Sequence, residues 1–80
     1  MMKIKIYGSG CPRCKQTEKV FKNAVEELQI EADVEKITDM MEIMNSGIVS
    51  TPGVSIDDEV VLTGKIPKIE EAKELIRKKL

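Results

Sequence analysis

Residues 4–15, which read IKIYGSGCPRCK, decide how this chain folds. Isoleucine alternates with lysine ahead of Tyr7, and an alternation of two residues is typical of a β-strand. A glycine-rich turn follows, and beyond Pro12 apolar residues recur at the spacing of an amphipathic helix. The two cysteines of the chain, Cys11 and Cys14, stand where the turn meets the helix. The stretch therefore predicts a strand and a helix joined at a Cys-x-x-Cys pair.

The spacing of the cysteines favours a redox couple. Two residues three apart at a helix start lie within one turn, so their sulfurs can form a disulfide without refolding the backbone. Because so short a ring removes little entropy from the unfolded chain, the bond is a poor structural crosslink. In the cytoplasm, where thiols are kept reduced, such a pair beside a strand–helix–strand pattern suggests disulfide exchange.

The helix start suggests different roles for the two thiols. Pro12 suits the first helical position, since its missing N–H would have no partner there, and this makes Cys11 the N-cap. We expect the helix dipole to lower the pKa of Cys11, with Arg13 and Lys15 adding positive charge nearby. Cys11 would then be the exposed nucleophile that attacks a substrate disulfide. Cys14 would be the more buried thiol that resolves the mixed disulfide.

Length and charge limit the possible classes of protein. Eighty residues are expected to form a single domain, 1–80, with one small core. The 13 basic and 14 acidic residues leave a net charge of −1, which gives no electrostatic reason to expect nucleic acid or an anionic membrane as a partner. No apolar run resembles a signal peptide or approaches the ~20 residues of a membrane span. We expect a cytoplasmic monomer.

The remaining elements follow from periodicity and turn residues. The first helix should reach about Gln29, and a second strand at 32–37 should lie at a sheet edge. A short helix capped by Thr38 or Asp39 should end at Gly47. Strands at 54–56 and 60–62 should form an antiparallel hairpin, and a last helix should begin at Pro67. The order is βαβαββα, with the first two strands parallel.

Two expectations concern the core. Aromatic residues are scarce, so the methionines of the short helix, at 40, 41 and 44, are expected to fill core space. The apolar face of the last helix is expected to run as far as Leu80.

Three segments carry a family resemblance. They are Cys11-Pro12-Arg13-Cys14 after the first strand, Thr51-Pro52 before the third, and residues 60–64 before the last helix. In these the chain resembles the thioredoxin superfamily, in particular small prokaryotic thioredoxin/glutaredoxin-like redox-active disulfide proteins. The resemblance implies an α/β minimal thioredoxin fold, with a four-stranded mixed sheet and helices on both faces.

The resemblance also implies how a substrate is held. Pro52 would follow a cis peptide bond and pack against the active-site disulfide, and Thr51 would offer its backbone to an extended substrate strand. Pro12 and Arg13 would complete the substrate-binding residues.

Two positions depart from the related proteins. Glutaredoxins usually carry tyrosine where this chain has Arg13, and a Gly-Gly pair where it has residues 63–66, so glutathione binding is not implied. Thioredoxins carry a buried aspartate at the spacing of Lys5. That lysine either points to solvent along its strand or lies beneath the disulfide.

The expected activity is thiol–disulfide oxidoreduction of protein substrates by the Cys11/Cys14 couple. No bound cofactor is needed, because the electrons travel in the cysteine pair, and the family suggests a thioredoxin-reductase-like donor. Three alternatives stay open. One is a glutathione-dependent glutaredoxin, and another is a thioredoxin-like binding module whose disulfide is idle. The third is a carrier of Cu(I), which two thiolates can hold, or of zinc, which two thiolates leave half-ligated.

Overall fold

The computed structural model describes residues 2–10 and 12–80. The elements alternate between strands and helices before a closing hairpin and helix. In chain order they are β1 (Met2–Tyr7), α1 (Pro12–Leu28), β2 (Ala32–Ile37), α2 (Met40–Asn45), β3 (Gly53–Ile56), β4 (Glu59–Thr63) and α3 (Ile69–Arg77). The predicted order βαβαββα is therefore confirmed.

The four strands form one mixed sheet in the order β2-β1-β3-β4. Strand β1 is parallel to β2, with Tyr7 opposite Ile37, and antiparallel to β3, with Tyr7 opposite Gly53. Strand β4 completes the sheet as the antiparallel partner of β3. This is the predicted minimal thioredoxin architecture, including the edge position of β2.

Helices cover both faces of the sheet, because alternate residues of β1 point to opposite sides. Ile4 and Ile6 face the main core, to which α1 contributes Phe21 and α3 contributes Ile76. On the other face Tyr7 packs with residues of α2 and its following loop in a second, smaller cluster. The sheet end that carries Tyr7 is thus covered on both sides, directly before the cysteine segment.

Helix α2 is short and buries little. Asp39, rather than Thr38, is its N-cap, and one carboxylate oxygen accepts hydrogen bonds from the backbone N–H of Met41 at 2.8 Å and of Glu42 at 3.4 Å. Within the helix only Ile43 is buried. The three methionines are 65–70% exposed, so their predicted place in the core is wrong. Six residues make less than two helical turns, so only a small part of the surface of α2 faces the sheet.

The last helix begins later and ends earlier than its sequence pattern indicates. Pro67 is buried but precedes the helix, whose N-cap is Lys68. Leu80 lies beyond the helix end and is exposed, so the expectation that it belongs to the apolar face is wrong.

The side chain of Ser55 is an unusual feature of the sheet interior. Ser55 is 2% exposed, and its hydroxyl has no hydrogen-bond partner within residues 2–10 and 12–80. A buried hydroxyl without a partner costs about 1–3 kcal/mol of desolvation. We expect Ser55→Ala to raise the free energy of unfolding by about 1 kcal/mol, measured by urea denaturation.

Ser46 provides the matched control for this prediction. Its hydroxyl donates to the carbonyl oxygen of Ile43 at 2.6 Å and accepts from the backbone N–H of Ile48. Ser46→Ala should therefore lower the free energy of unfolding by about 1 kcal/mol. A loss of stability in both variants would contradict the account of Ser55.

Candidate active site

The site lies at the end of the sheet where β1 leads into α1. The backbone N–H of Gly8 donates to the carbonyl oxygen of Ile37 at 2.9 Å, so pairing with β2 continues one residue past the strand. Gly10 has a φ of +87°, a left-handed conformation that glycine adopts without strain. Cys11 lies outside the described residues. Its predicted N-cap position, exposure and lowered pKa therefore remain predictions.

Cys14 is fully buried in the first turn of α1. Thr17, one turn further along, is also buried, and its hydroxyl donates to the carbonyl oxygen of Arg13 at 2.9 Å. This arrangement agrees with the expected burial of the second cysteine. Its role as resolving thiol remains a prediction.

Gly8 packs directly on Cys14, and the sequence analysis missed this contact. A Cβ atom built on Gly8 would overlap the Sγ of Cys14, lie 3.0 Å from its Cβ, and lie 3.9 Å from the Cβ of Thr51. Glycine at position 8 therefore leaves space for the side chain of Cys14, whereas the sequence suggested only that this glycine permits a tight turn. The sequence did contain a signal for this contact. Cys14 was expected to be buried near the start of the helix, and a thiol buried there needs a small residue beside it on the preceding segment.

The segment that precedes β3 lies beside this contact. The Thr51–Pro52 peptide bond is cis, as the resemblance implied. Pro52 is buried, while Thr51 is exposed and close to Gly8. Gly53 lies against Ile48, because a Cβ on Gly53 would come within 2.6 Å of two carbon atoms of that side chain. Thr51 is therefore presented to solvent next to the buried thiol.

A third segment, the loop between β4 and α3, is tied to the other two through Gly64. The guanidinium of Arg13 donates to the carbonyl oxygen of Gly64 at 3.1 Å, and the N–H of Gly64 donates to the carbonyl oxygen of Pro52 at 2.9 Å. Gly64 has a φ of +75°, which again favours glycine. The sequence analysis placed Arg13 and Pro52 in the site but missed Gly64, which connects them.

An ion pair holds the following part of this loop. The ammonium of Lys65 lies 2.6 Å from a carboxylate oxygen of Glu71 in the first turn of α3. The hydrogen bond from Lys65 lowers the pKa of Glu71. The loop is thereby anchored to α3 on one side and to the cysteine segment on the other.

Pro12 and Lys5 complete the positions that the sequence analysis singled out. Pro12 is exposed at the first position of α1. Lys5 is partly exposed, and its ammonium lies 3.7 Å from a carboxylate oxygen of Asp58, in the turn between β3 and β4. That turn lies at the opposite end of the sheet from Tyr7 and Gly8, so the charge of Lys5 is directed away from Cys14.

Two other features, a group of metal ligands and a membrane-spanning helix, are absent from the described residues. Across 2–10 and 12–80, no three or more Cys, Asp or Glu side chains are grouped in a way that could hold a metal ion. Within the same residues, no helix has the length and apolar character needed to cross a membrane.

Comparison with known proteins agrees with this geometry. A family model described as a thioredoxin domain matches residues 2–77. The chain is 51% identical over 77 residues to a thioredoxin of Methanocaldococcus jannaschii, covering 96% of this chain and 88% of that protein. It is 42% identical over 76 residues to a thioredoxin of Methanothermobacter thermautotrophicus, covering 95% of this chain and 99% of that protein.

The chain belongs to the thioredoxin family. The family and the named relatives support a thioredoxin-like redox function.

Proposed function

We propose that the protein is a thiol–disulfide oxidoreductase that reduces or exchanges disulfides of other proteins through Cys11 and Cys14. The observation that carries this proposal is the position of Cys14. It is buried at the start of α1, packed on Gly8 and adjacent to the exposed Thr51. A thiol in this place is shielded from solvent and follows, by three residues in the sequence, the cysteine proposed to attack a substrate.

The proposed reaction proceeds in two exchanges. The Cys11 thiolate attacks one sulfur of the substrate disulfide, forming a mixed disulfide and releasing the other sulfur as a thiolate. Cys14, after losing its proton, attacks the Cys11 sulfur and releases the second substrate thiolate. The substrate gains two electrons, and the protein is left with a Cys11–Cys14 disulfide. A dithiol reductant or a thioredoxin-reductase-like donor returns the two electrons.

The surroundings of Cys14 support a protein as substrate. Thr51 is exposed, so its backbone can align with an extended substrate strand. Both polar backbone groups of Gly64 are already engaged, one by Arg13 and one by Pro52. This loop replaces the glycine pair that holds glutathione in glutaredoxins, and its occupied groups favour protein disulfides over glutathione.

The test is a redox titration followed by an activity assay. We expect the wild-type protein to titrate as one two-electron dithiol–disulfide couple and to reduce insulin disulfides with dithiothreitol as electron source. The variant Cys11→Ser/Cys14→Ser should show neither property. Equal rates for the two proteins would overturn the proposal. Activity that depends on glutathione, or tight stoichiometric retention of Cu(I) or zinc without reductase activity, would overturn it in favour of the alternatives.

The other expectations remain predictions alongside this proposal. They are the single domain 1–80, the monomeric state, the cytoplasmic location and the reductase-like electron donor.

A further inference from the structure

A cavity of about 340 Å³ lies between strand β4 and the end of helix α3. This volume is at the lower end of the roughly 300–1,000 Å³ that is typical of ligand pockets. We call the cavity and its lining the β4 groove, which is formed by Glu59, Val60, Val61, Leu75, Lys78 and Lys79. The groove is therefore large enough to receive side chains of a partner.

The β4 groove lies at the opposite end of the sheet from the cysteine segment. Glu59 pairs with Ile56 beside the turn that joins β3 to β4. Gly53, at the other end of β3, lies opposite Tyr7, and the cysteine segment follows Tyr7 in the sequence. A partner bound in the groove would therefore leave the cysteine segment uncovered.

Strand β4 is an edge strand whose sequence does little to prevent pairing with another chain. In the sheet formed by the described residues, β4 has β3 on one side and no strand on the other. Natural proteins commonly guard such edges with charged side chains. The other edge strand, β2, carries three charges in six residues, whereas β4 carries only Glu59 in five. The outer edge of β4 is therefore open to the addition of a strand from a partner.

The groove offers an apolar contact to the side chains of such a strand. The register between β3 and β4 is irregular, so Val61 has no opposite residue in β3, and a bulge of this kind redirects a side chain. Val61 and Leu75 are half-buried and pack on the main core. Alternate side chains of an added strand would point towards α3, where they would contact these two residues. The groove therefore favours an apolar residue on that side of the added strand.

The two lysines determine the charge at the edge of the groove. The ammonium of Lys79 lies 2.5 Å from a carboxylate oxygen of Glu59, so these two charges offset each other. Lys78 is exposed, and within residues 2–10 and 12–80 no carboxylate forms an ion pair with it. One positive charge is thus left over beside the apolar contact, and it favours an acidic side chain on the partner.

A second copy of the chain would not supply that acidic side chain. In a symmetric antiparallel pair of β4 strands centred on Val61, Glu59 of each copy would lie opposite Thr63 of the other copy. The lysine end of each groove, marked by the ion pair of Glu59 with Lys79, would therefore face threonine. The charge of the groove fits a different protein better than a second copy.

We propose that the β4 groove binds an extended segment of a partner protein that carries an apolar and an acidic residue two positions apart. The backbone of the segment pairs with β4, and both side chains lie on the α3 side of the added strand. The apolar side chain contacts Val61 and Leu75, and the acidic one pairs with Lys78. This site goes beyond the proposed function and does not depend on it.

The test is a titration of the isotope-labelled full chain with three peptides, followed by the NMR signals of its backbone amides. The first peptide has seven residues and blocked ends, with valine in the middle, glutamate two positions to either side, and threonine elsewhere. The second has lysine in place of glutamate, and the third is the first with its interior amides N-methylated. We expect the first peptide to shift the signals of residues 59–61 and 75–79 and to bind about fivefold more tightly than either of the others.

Matched variants test the role of the charge. Lys78→Glu should bind the glutamate peptide about fivefold more weakly and the lysine peptide correspondingly more tightly. Lys19→Glu makes the same charge change at an exposed lysine of α1 and should bind all three peptides as the wild-type protein does. Equal losses in the two variants would overturn the assignment of the acidic side chain to Lys78.

Four other results would overturn the inference. They are no shift with any peptide, equal binding of the N-methylated peptide, shifts confined to Gly8 and Cys14, and shifts of the groove signals by octanoate but by no peptide. The last would assign the cavity to a small amphipathic anion. A wild-type dimer that Val60→Lys dissociates, detected by analytical ultracentrifugation, would assign the edge of β4 to a second copy and would also overturn the inference.

Discussion

Cys14→Ser is expected to accumulate a covalent complex with an oxidised protein substrate and to lose all multiple-turnover activity. Removing the buried thiol leaves the first exchange intact, because the attack on the substrate is assigned to Cys11. The second exchange cannot occur, so the mixed disulfide persists. Non-reducing electrophoresis of the variant after mixing with an oxidised substrate should show a complex that dithiothreitol dissolves.

Cys11→Ser is the matched control for this experiment. It keeps the buried thiol on Gly8 but lacks the proposed nucleophile, and we expect neither turnover nor trapped complex. A complex trapped by Cys11→Ser and not by Cys14→Ser would reverse the two roles. No complex with either variant, together with full turnover, would show that the pair is not the reacting couple.

Gly8→Ala should lower the free energy of unfolding by about 1–3 kcal/mol, the usual cost of forcing extra atoms into a packed core. The added methyl group overlaps the Sγ of Cys14, which is fully buried and so has little space to move. Urea denaturation measures the change in stability. We also expect slower release of the substrate from the mixed disulfide, because the displaced thiol no longer lies in its native position.

A double-mutant cycle separates this contact from a general effect of the substitution. Cys14→Ala removes the Sγ and leaves only the Cβ, 3.0 Å from the position of the new methyl group. In that background Gly8→Ala should cost less than half as much as in the wild-type protein. The same cost in both backgrounds would mean that the methyl group is not opposed by the thiol.

Local patterns account for most of the fold. The alternation of Ile4 and Ile6 predicts β1, and Phe21 lies on the buried stripe expected for α1. Asp57 and Asp58 adopt the left-handed φ values of 49° and 70° that a tight hairpin requires. In each case the local structure depends on residues that are adjacent in the sequence, so it can be predicted from the sequence alone.

The incorrect predictions concern features that depend on tertiary contacts between elements. Periodicity places Met40 and Met44 on an apolar stripe, yet α2 is so short that Ile43 alone covers the sheet there. In the site, the hydrogen bonds of Gly64 join residues far apart in sequence, and the contact of Gly8 with Cys14 is made between the end of β1 and the first turn of α1. No local rule anticipates the hydrogen bonds of Gly64, and the resemblance, not residue chemistry, led to the cis bond before Pro52.

The two hydrogen bonds of Gly64 have a consequence for how the protein responds to a bound partner. They join the helix that carries Cys14, the segment before β3 and the loop before α3. A partner that binds any of these segments is therefore linked by hydrogen bonds to the segment in which the proposed thiol exchange takes place. If a partner binds the dithiol and disulfide forms of the protein with different affinities, its binding must also shift the midpoint potential of the cysteine pair. The two effects correspond to the same coupling free energy.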